Sequence, residues 1–177
     1  MLSTFFFIIY GCLLSAATGI RAFLPLVVIS YAHINGLFGF STALEDDLFH
    51  FPVTLIVLGC LAILEMVLDA FPFISLLNKF FLVPAKSVAG TGVAYETIHY
   101  MFPNIDFLAA LFLAVVTGGF FSVLSNLGVS ALRAIGEAGS IGMASPVMSF
   151  LEDALAFLLS ISGIFLVGKA LALVVSG

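Results

Sequence analysis

Residues 107–132 read FLAALFLAVVTGGFFSVLSNLGVSAL, a run from Phe107 to Leu132 without one Asp, Glu, Lys or Arg. Crossing the hydrocarbon core of a bilayer takes about 20 apolar residues in a helix, and this run is longer than that. Lipid offers no partner to an unpaired N–H or C=O, so a spanning segment must be a helix or part of a closed barrel. Barrel strands are alternating segments of about ten residues, far shorter than this run. The run predicts a membrane helix.

The same pattern recurs upstream. Met1–Ile20, Ala22–Leu44 and Leu48–Leu64 also lack Asp, Glu, Lys and Arg. Of the 177 residues, 63% are hydrophobic and 8% charged. A soluble domain carries about a quarter charged residues to solvate its surface, so most of this surface must face lipid. The expectation is an all-α, polytopic transmembrane helix bundle forming a single transmembrane domain over residues 1–177. Net charge is -5, and the five Lys and Arg are scattered, which gives nucleic acid nothing to bind. Cys12 and Cys60 lie inside apolar runs and read as small core residues, not as a disulfide framework. Phe5–Leu14 with Ser15-Ala16-Ala17 has the outline of a cleavable leader. No Lys or Arg precedes it, however, and the apolar character continues to Ile34, so the segment reads as retained.

About five hydrophobic elements follow. The first, Ser3–Ala32, is too long for one straight crossing and is interrupted by Thr18-Gly19-Ile20-Arg21 and by Pro25. It predicts two half-helices broken between Thr18 and Pro25, with Gly19 and Pro25 as the break residues, either in line or folded as a re-entrant hairpin. The others are Pro52–Phe71, Pro84–Phe102, Ile105–Ala134 and Pro146–Val175. Pro52, Pro84 and Pro146 sit where helices could start, a position that tolerates a missing N–H. Lys79, Lys86 and Arg133 then fall in or beside connecting loops, Pro72–Val83 and Ala134–Ser145. The excess of Lys and Arg places those loops in the cytoplasm and the Glu45-Asp46-Asp47 loop outside.

Ionisable residues inside spans are expensive and mark candidate sites. Glu65 and Asp69 are four residues apart, on one helix face. Glu152 and Asp153 lie about two turns beyond Pro146. Arg21 sits at the break of the first element, where freed backbone groups can bind ions or substrate. Each has a plainer reading: Asp69 at the interface beside Lys79, Arg21 reaching for head-groups, or Glu65 and Glu152 in structural ion pairs with Arg21, Arg133 or Lys86. Glu96-x-x-His99 is one carboxylate–imidazole pair, whereas a di-metal bundle needs two such pairs and two more Glu; no metal or cofactor is expected. Zinc, phosphate-loop and nucleophile-elbow motifs are absent from the sequence, so an enzyme is not expected. Ser87, Gly90 and Ala94 suit a close helix–helix contact.

Three segments together resemble a known family: Gly19–Pro25 (GIRAFLP), Leu64–Pro72 (LEMVLDAFP) and Ser145–Asp153 (SPVMSFLED). They are similar to the Gly-x-Arg-Ala, Glu-x-x-x-Asp-Lys-x-Pro and Asn-Pro-x-x-Ser-x-x-Glu-Asp pattern of small bacterial membrane proteins known as domain of unknown function 4126. Pro84–Ala94 and Ser130–Arg133 look like its third element and the end of its fourth. Two positions depart: Ala70 stands for the family's Lys and Ser145 for its Asn. If that Lys neutralises the Asp, Asp69 here needs another partner, for which Lys79 is the candidate. The resemblance implies a bacterial inner-membrane protein and names no activity.

These readings lead to a transporter or channel for an ion or small polar solute, its polar site lined by Arg21, Glu65, Asp69, Glu152 and Asp153. Burying a charged carboxylate is costly, which makes proton coupling an expectation. Two alternatives stand beside it: a flippase- or scramblase-like protein with a head-group groove, and a non-transporting assembly protein. The partners implied are membrane lipids, the solute and a second copy of the chain, since so small a bundle encloses a path most easily as an oligomer.

Overall fold

The broken first element is a re-entrant hairpin, and the rest of the bundle is arranged around its apex. The computed structural model describes residues 2–37, 51–70, 72–102, 104–140 and 145–175, and the side chains of 8–37, 51–69, 82–99, 102, 104–136 and 146–166. Its helices are α1 (Leu2–Ile20), α2 (Leu24–Ile34), α3 (Pro52–Ala70), α4 (Pro72–Met101), α5 (Phe107–Ala114), α6 (Phe120–Ser140) and α7 (Ser145–Val175). A π-helical turn, Val115–Gly119, joins α5 to α6 without interrupting the rod. Among the described residues there is no strand. Three stretches are long and apolar enough to cross a membrane: Pro52–Asp69, Phe107–Gly136 and Pro146–Leu166.

The hairpin is read from what each arm touches on α7. Arg21, at the break, reaches Ser149 and Asp153 near the start of α7. Back along α1, Leu14 and Tyr10 lie against Gly163. Forward along α2, Val28, Tyr31 and Ala32 share a groove with Phe157, Ile161 and Ile164. Both arms therefore run from Arg21 toward the same end of α7. An in-line helix would instead carry α2 past the start of α7. Tyr10, Leu14, Leu26, Ile29, Ala32, Val93 and Ile164 fill the core between the arms, α4 and α7.

The break has local causes. Pro25 is in the first turn of α2, where its missing N–H removes one orphan donor. Phe23, the residue before α2, supplies no side-chain cap. The free amides of Ala22 and Phe23 are instead taken by a side chain from α3, Glu65.

Small residues draw α1, α4 and α6 together. A Cβ on Gly118 would overlap the carbonyl oxygen of Gly90, and one on Gly19 would overlap that of Ser122. Ser15 donates to the Gly90 carbonyl at 3.1 Å, and Ser122 to the Lys86 carbonyl at 2.8 Å. In lipid, packing and such hydrogen bonds replace the hydrophobic drive between helices. The outer faces are apolar: Val53, Ile56 and Ile63 of α3, Leu124 and Leu127 of α6, and Phe150 and Leu158 of α7 are exposed.

Several sequence expectations are corrected. Pro84 does not start a helix; it lies inside α4, which begins at Pro72. The Pro72–Val83 loop is helix, because Pro72 already provides the tolerated first-turn position. Lys79 and Lys86 are therefore in α4 rather than in or beside a loop, and Arg133 is within α6, which runs on to Ser140. The Glu45-Asp46-Asp47 segment and the Lys79 side chain lie outside the described residues.

Substitution at the glycine seam tests this packing. Gly118→Ala is expected to destabilise the bundle by about 1–3 kcal/mol, the usual penalty of overpacking. Gly128→Ala, where a Cβ meets nothing within 4 Å, is expected to be close to neutral. Unfolding in mixed micelles reads both, and equal effects would contradict the seam.

Candidate functional site

Arg21 has no exposed surface, so its guanidinium does not reach head-groups. A guanidinium keeps its proton in a protein, and burying it requires anions and acceptors. Two elements, α3 and α7, converge to supply them. Nη1 donates to Asp69 Oδ2 of α3. Nη2 donates to Ser149 Oγ of α7 at 2.7 Å and to the Ser149 carbonyl at 3.3 Å. Nε is 2.6 Å from Asp153 Oδ1, a charge contact whose N–H is not aimed well enough to count as a hydrogen bond. Glu152 Oε2 is 3.9 Å from Nη2.

A second arginine doubles the network. Arg133 of α6 grips Glu152 with both ends of its fork, Nε to Oε1 at 3.0 Å and Nη2 to Oε2 at 2.7 Å. The same Nη2 is 3.9 Å from Asp69 Oδ2. Asp69 thus stands between two arginines. Both arginines answer the loss of the family's Lys at Ala70; the Lys79 side chain, the partner expected for Asp69, lies outside the described residues.

Glu65 is held differently. Its Oε1 accepts from the Ala22 amide at 3.0 Å and its Oε2 from the Phe23 amide at 3.2 Å. A carboxylate here caps the positive end of a helix from a neighbouring element. Lys86 completes the group: its Nζ donates to Asn126 Oδ1 of α6 at 3.2 Å. Among the described residues, four carboxylates and three cations therefore meet around the hairpin apex.

The depth of the cluster follows from the apolar spans. Asp69 ends the span Pro52–Asp69 and Glu65 lies about one turn, some 6 Å, further in. Glu152 is about two turns inside Pro146, and Arg133 about one turn inside Gly136. The charges occupy one end of the bundle interior, opposite the ends of α1 and α2 that lie away from Arg21. The structure thus brings together Arg21, Glu65, Asp69, Glu152 and Asp153, with Lys86 and Arg133 beside them and Gly19 and Pro25 framing the break. Sequence reasoning missed Asn126 and Ser149, whereas freed backbone groups at the break were expected to bind, and two of them bind Glu65. Neutral partners carry no burial signal; Ser149, inside the quoted SPVMSFLED segment, was within reach of it.

Breaking the bidentate pair separates energy from mere proximity. Arg133→Ala is expected to cost about 3–5 kcal/mol, because it strands a buried carboxylate. Combining Arg133→Met with Glu152→Leu is expected to recover most of that loss, since an apolar pair of similar volume removes the stranded charge. Unfolding of the single and double variants measures the difference; a double variant as unstable as Arg133→Ala would contradict it.

No curated protein and no solved structure matches the chain. A family model, the domain of unknown function (DUF4126), matches residues 8–176. Arg21, Glu65, Asp69, Glu152 and Asp153, which lie in the segments on which the sequence resemblance rests, meet at the hairpin apex. Across nearly its whole length, this chain, with three helices long and apolar enough to cross a membrane, belongs to the DUF4126 family.

Proposed function

We propose that the protein is a transporter or channel for a small ion, proton-coupled through the carboxylates at the hairpin apex. The observation that supports this reading is Glu65, a carboxylate buried within an apolar span and held by backbone amides. A purely structural network can reach neutrality by pairing every charge. Glu65 instead binds the freed backbone where a helix is broken, the arrangement in which transporters bind ions. A carboxylate that gains and loses a proton there would change its hold on the hairpin apex. We further place the protein in the bacterial inner membrane, with the ends of α3 and α6 that carry Asp69 and Arg133 toward the cytoplasm.

A head-group path finds less support. The groove between α2 and α7, about 390 Å³, is lined by Val27, Tyr31, Phe157 and Ile161 among others, and by no charged group. The assembly reading has one observation on its side, the closed bidentate pair of Arg133 and Glu152.

Two experiments decide. Cysteines placed at Asp46 and Lys79, in a chain without Cys12 and Cys60, are expected to label from opposite faces; labelling from one face would contradict the orientation. In proteoliposomes, flux of protons, Na⁺, K⁺ and Cl⁻ is followed for the parent and for Glu65→Gln and Glu152→Gln. The expected result is flux of one of these ions in the parent and its loss in both variants, each purified at normal yield. Variants that move every tested ion as the parent does, or a parent that moves none, would remove the reading.

A further inference from the structure

A cavity of about 30 Å³ lies between α3, α4, α6 and α7. Its polar wall is made by Asp69, Lys86, Asn126, Ser130, Arg133 and Glu152. One water molecule needs about 10–15 Å³ by the same measure, so the space suits one or two.

The wall is chemically incomplete on its own. An ammonium carries three donors. Lys86 gives one to Asn126, a neutral acceptor, at 3.2 Å, and among the described residues no carboxylate lies within ion-pair distance of it. Glu65 and Asp69 of α3, Glu152 of α7 and Arg21 at the break act on it through space, and Arg133 of α6 shares its cavity. Two ammonium donors therefore remain for whatever the cavity holds. Across it stands the carboxylate of Glu152, able to accept more bonds than Arg133 supplies, with the Asp69 carboxylate on the same wall. A buried water requires two to four polar partners, and this wall offers them.

We propose that the cavity is a water-binding site whose water passes protons between Lys86 and the carboxylates of Asp69 and Glu152. The water site stands on the cavity and the unfilled donors; the proton step rests in addition on the proposed function. In that step an N–H bond of the Lys86 ammonium breaks as the water gains an O–H bond. One of the water's own O–H bonds breaks as a carboxylate O–H forms. Water is regenerated, and nothing is oxidised or reduced. Arg21 and Arg133 cannot take this part, because a guanidinium does not release its proton in a protein. Lys86 is the cation of the cluster that can.

Ser130→Leu tests the proposal by filling the cavity with an apolar side chain while leaving every charged residue in place; Ser130→Val is a smaller second variant. With Lys79→Arg and Lys169→Arg, Lys86 becomes the sole lysine, and its Nζ gives one ¹⁵N side-chain signal. Water-edited solid-state NMR in proteoliposomes is expected to show transfer from water protons to Lys86 Nζ, and loss of that transfer in Ser130→Leu. Proton flux, read with an entrapped pH dye on the otherwise unaltered chain, is expected to be lost in the same variant. The water site is overturned if Lys86 Nζ receives no transfer from water, a result that needs no cavity variant to fold. The proton step is overturned if both Ser130 variants lose the water signal yet keep the parent's proton flux. A parent that shows the water signal but carries no ion at all upholds the site and removes the proposed function together with the step.

Discussion

A buried guanidinium that cannot discharge itself is the constraint on which this structure depends. Arg21 sits within the bundle with no exposed surface. Removing such a charge from water costs several kcal/mol even after relaxation, so it must be met from several directions. Asp69 comes from the end of α3, and Ser149 and Asp153 from the start of α7. The break between α1 and α2 is thereby tied to the elements on either side of it. Arg133 extends the same logic to α6 through Glu152. The hairpin apex, the end of α3 and the start of α7 are one electrostatic unit.

The remainder of the bundle allows that unit to exist in lipid. The seam of Gly19, Gly90, Gly118 and Ser122 brings α1, α4 and α6 close enough to exclude lipid from the charges. Among the described residues, the exposed faces of α3, α6 and α7 are largely apolar. Glu65 links the unit to the backbone of the break itself, and Lys86 is held by a neutral amide beside a small polar cavity. The ion-coupled reading grows from these two groups, because they are the members of the cluster that are not locked in arginine pairs.

Much of this was legible in the residues. Run lengths predicted the helices, and the length of Ser3–Ala32 together with Gly19 and Pro25 predicted the break. The cost of a charge within an apolar run singled out Arg21, Glu65 and Glu152. The sense of the break was not legible, since Thr18–Pro25 suits both an in-line kink and a hairpin; the choice is made by contacts with α7, far along the chain. Pro84 misled because a proline inside a membrane helix and a proline at a helix start look alike locally. Reading Pro72–Val83 as a loop then set Lys79 and Lys86 in and beside it, and hid the chance that Lys86 faces Asn126. The Gly118–Gly90 contact depends on the π-helical turn, which sets the face Gly118 presents and has no mark in the sequence beyond a pair of glycines.

The arrangement of the two arms carries all of this, and one distance tests it directly. Spin labels at Ile8→Cys and Ile34→Cys, in a chain without Cys12 and Cys60, sit a similar number of residues on either side of Arg21. If both arms lie along α7, the labels are separated by about two interhelical spacings, roughly 20 Å. If α1 and α2 cross in line, the separation approaches about 40 Å. A pulsed electron–electron distance near 20 Å in lipid bilayers is the predicted result; one near 40 Å would contradict the hairpin and, with it, the charged apex.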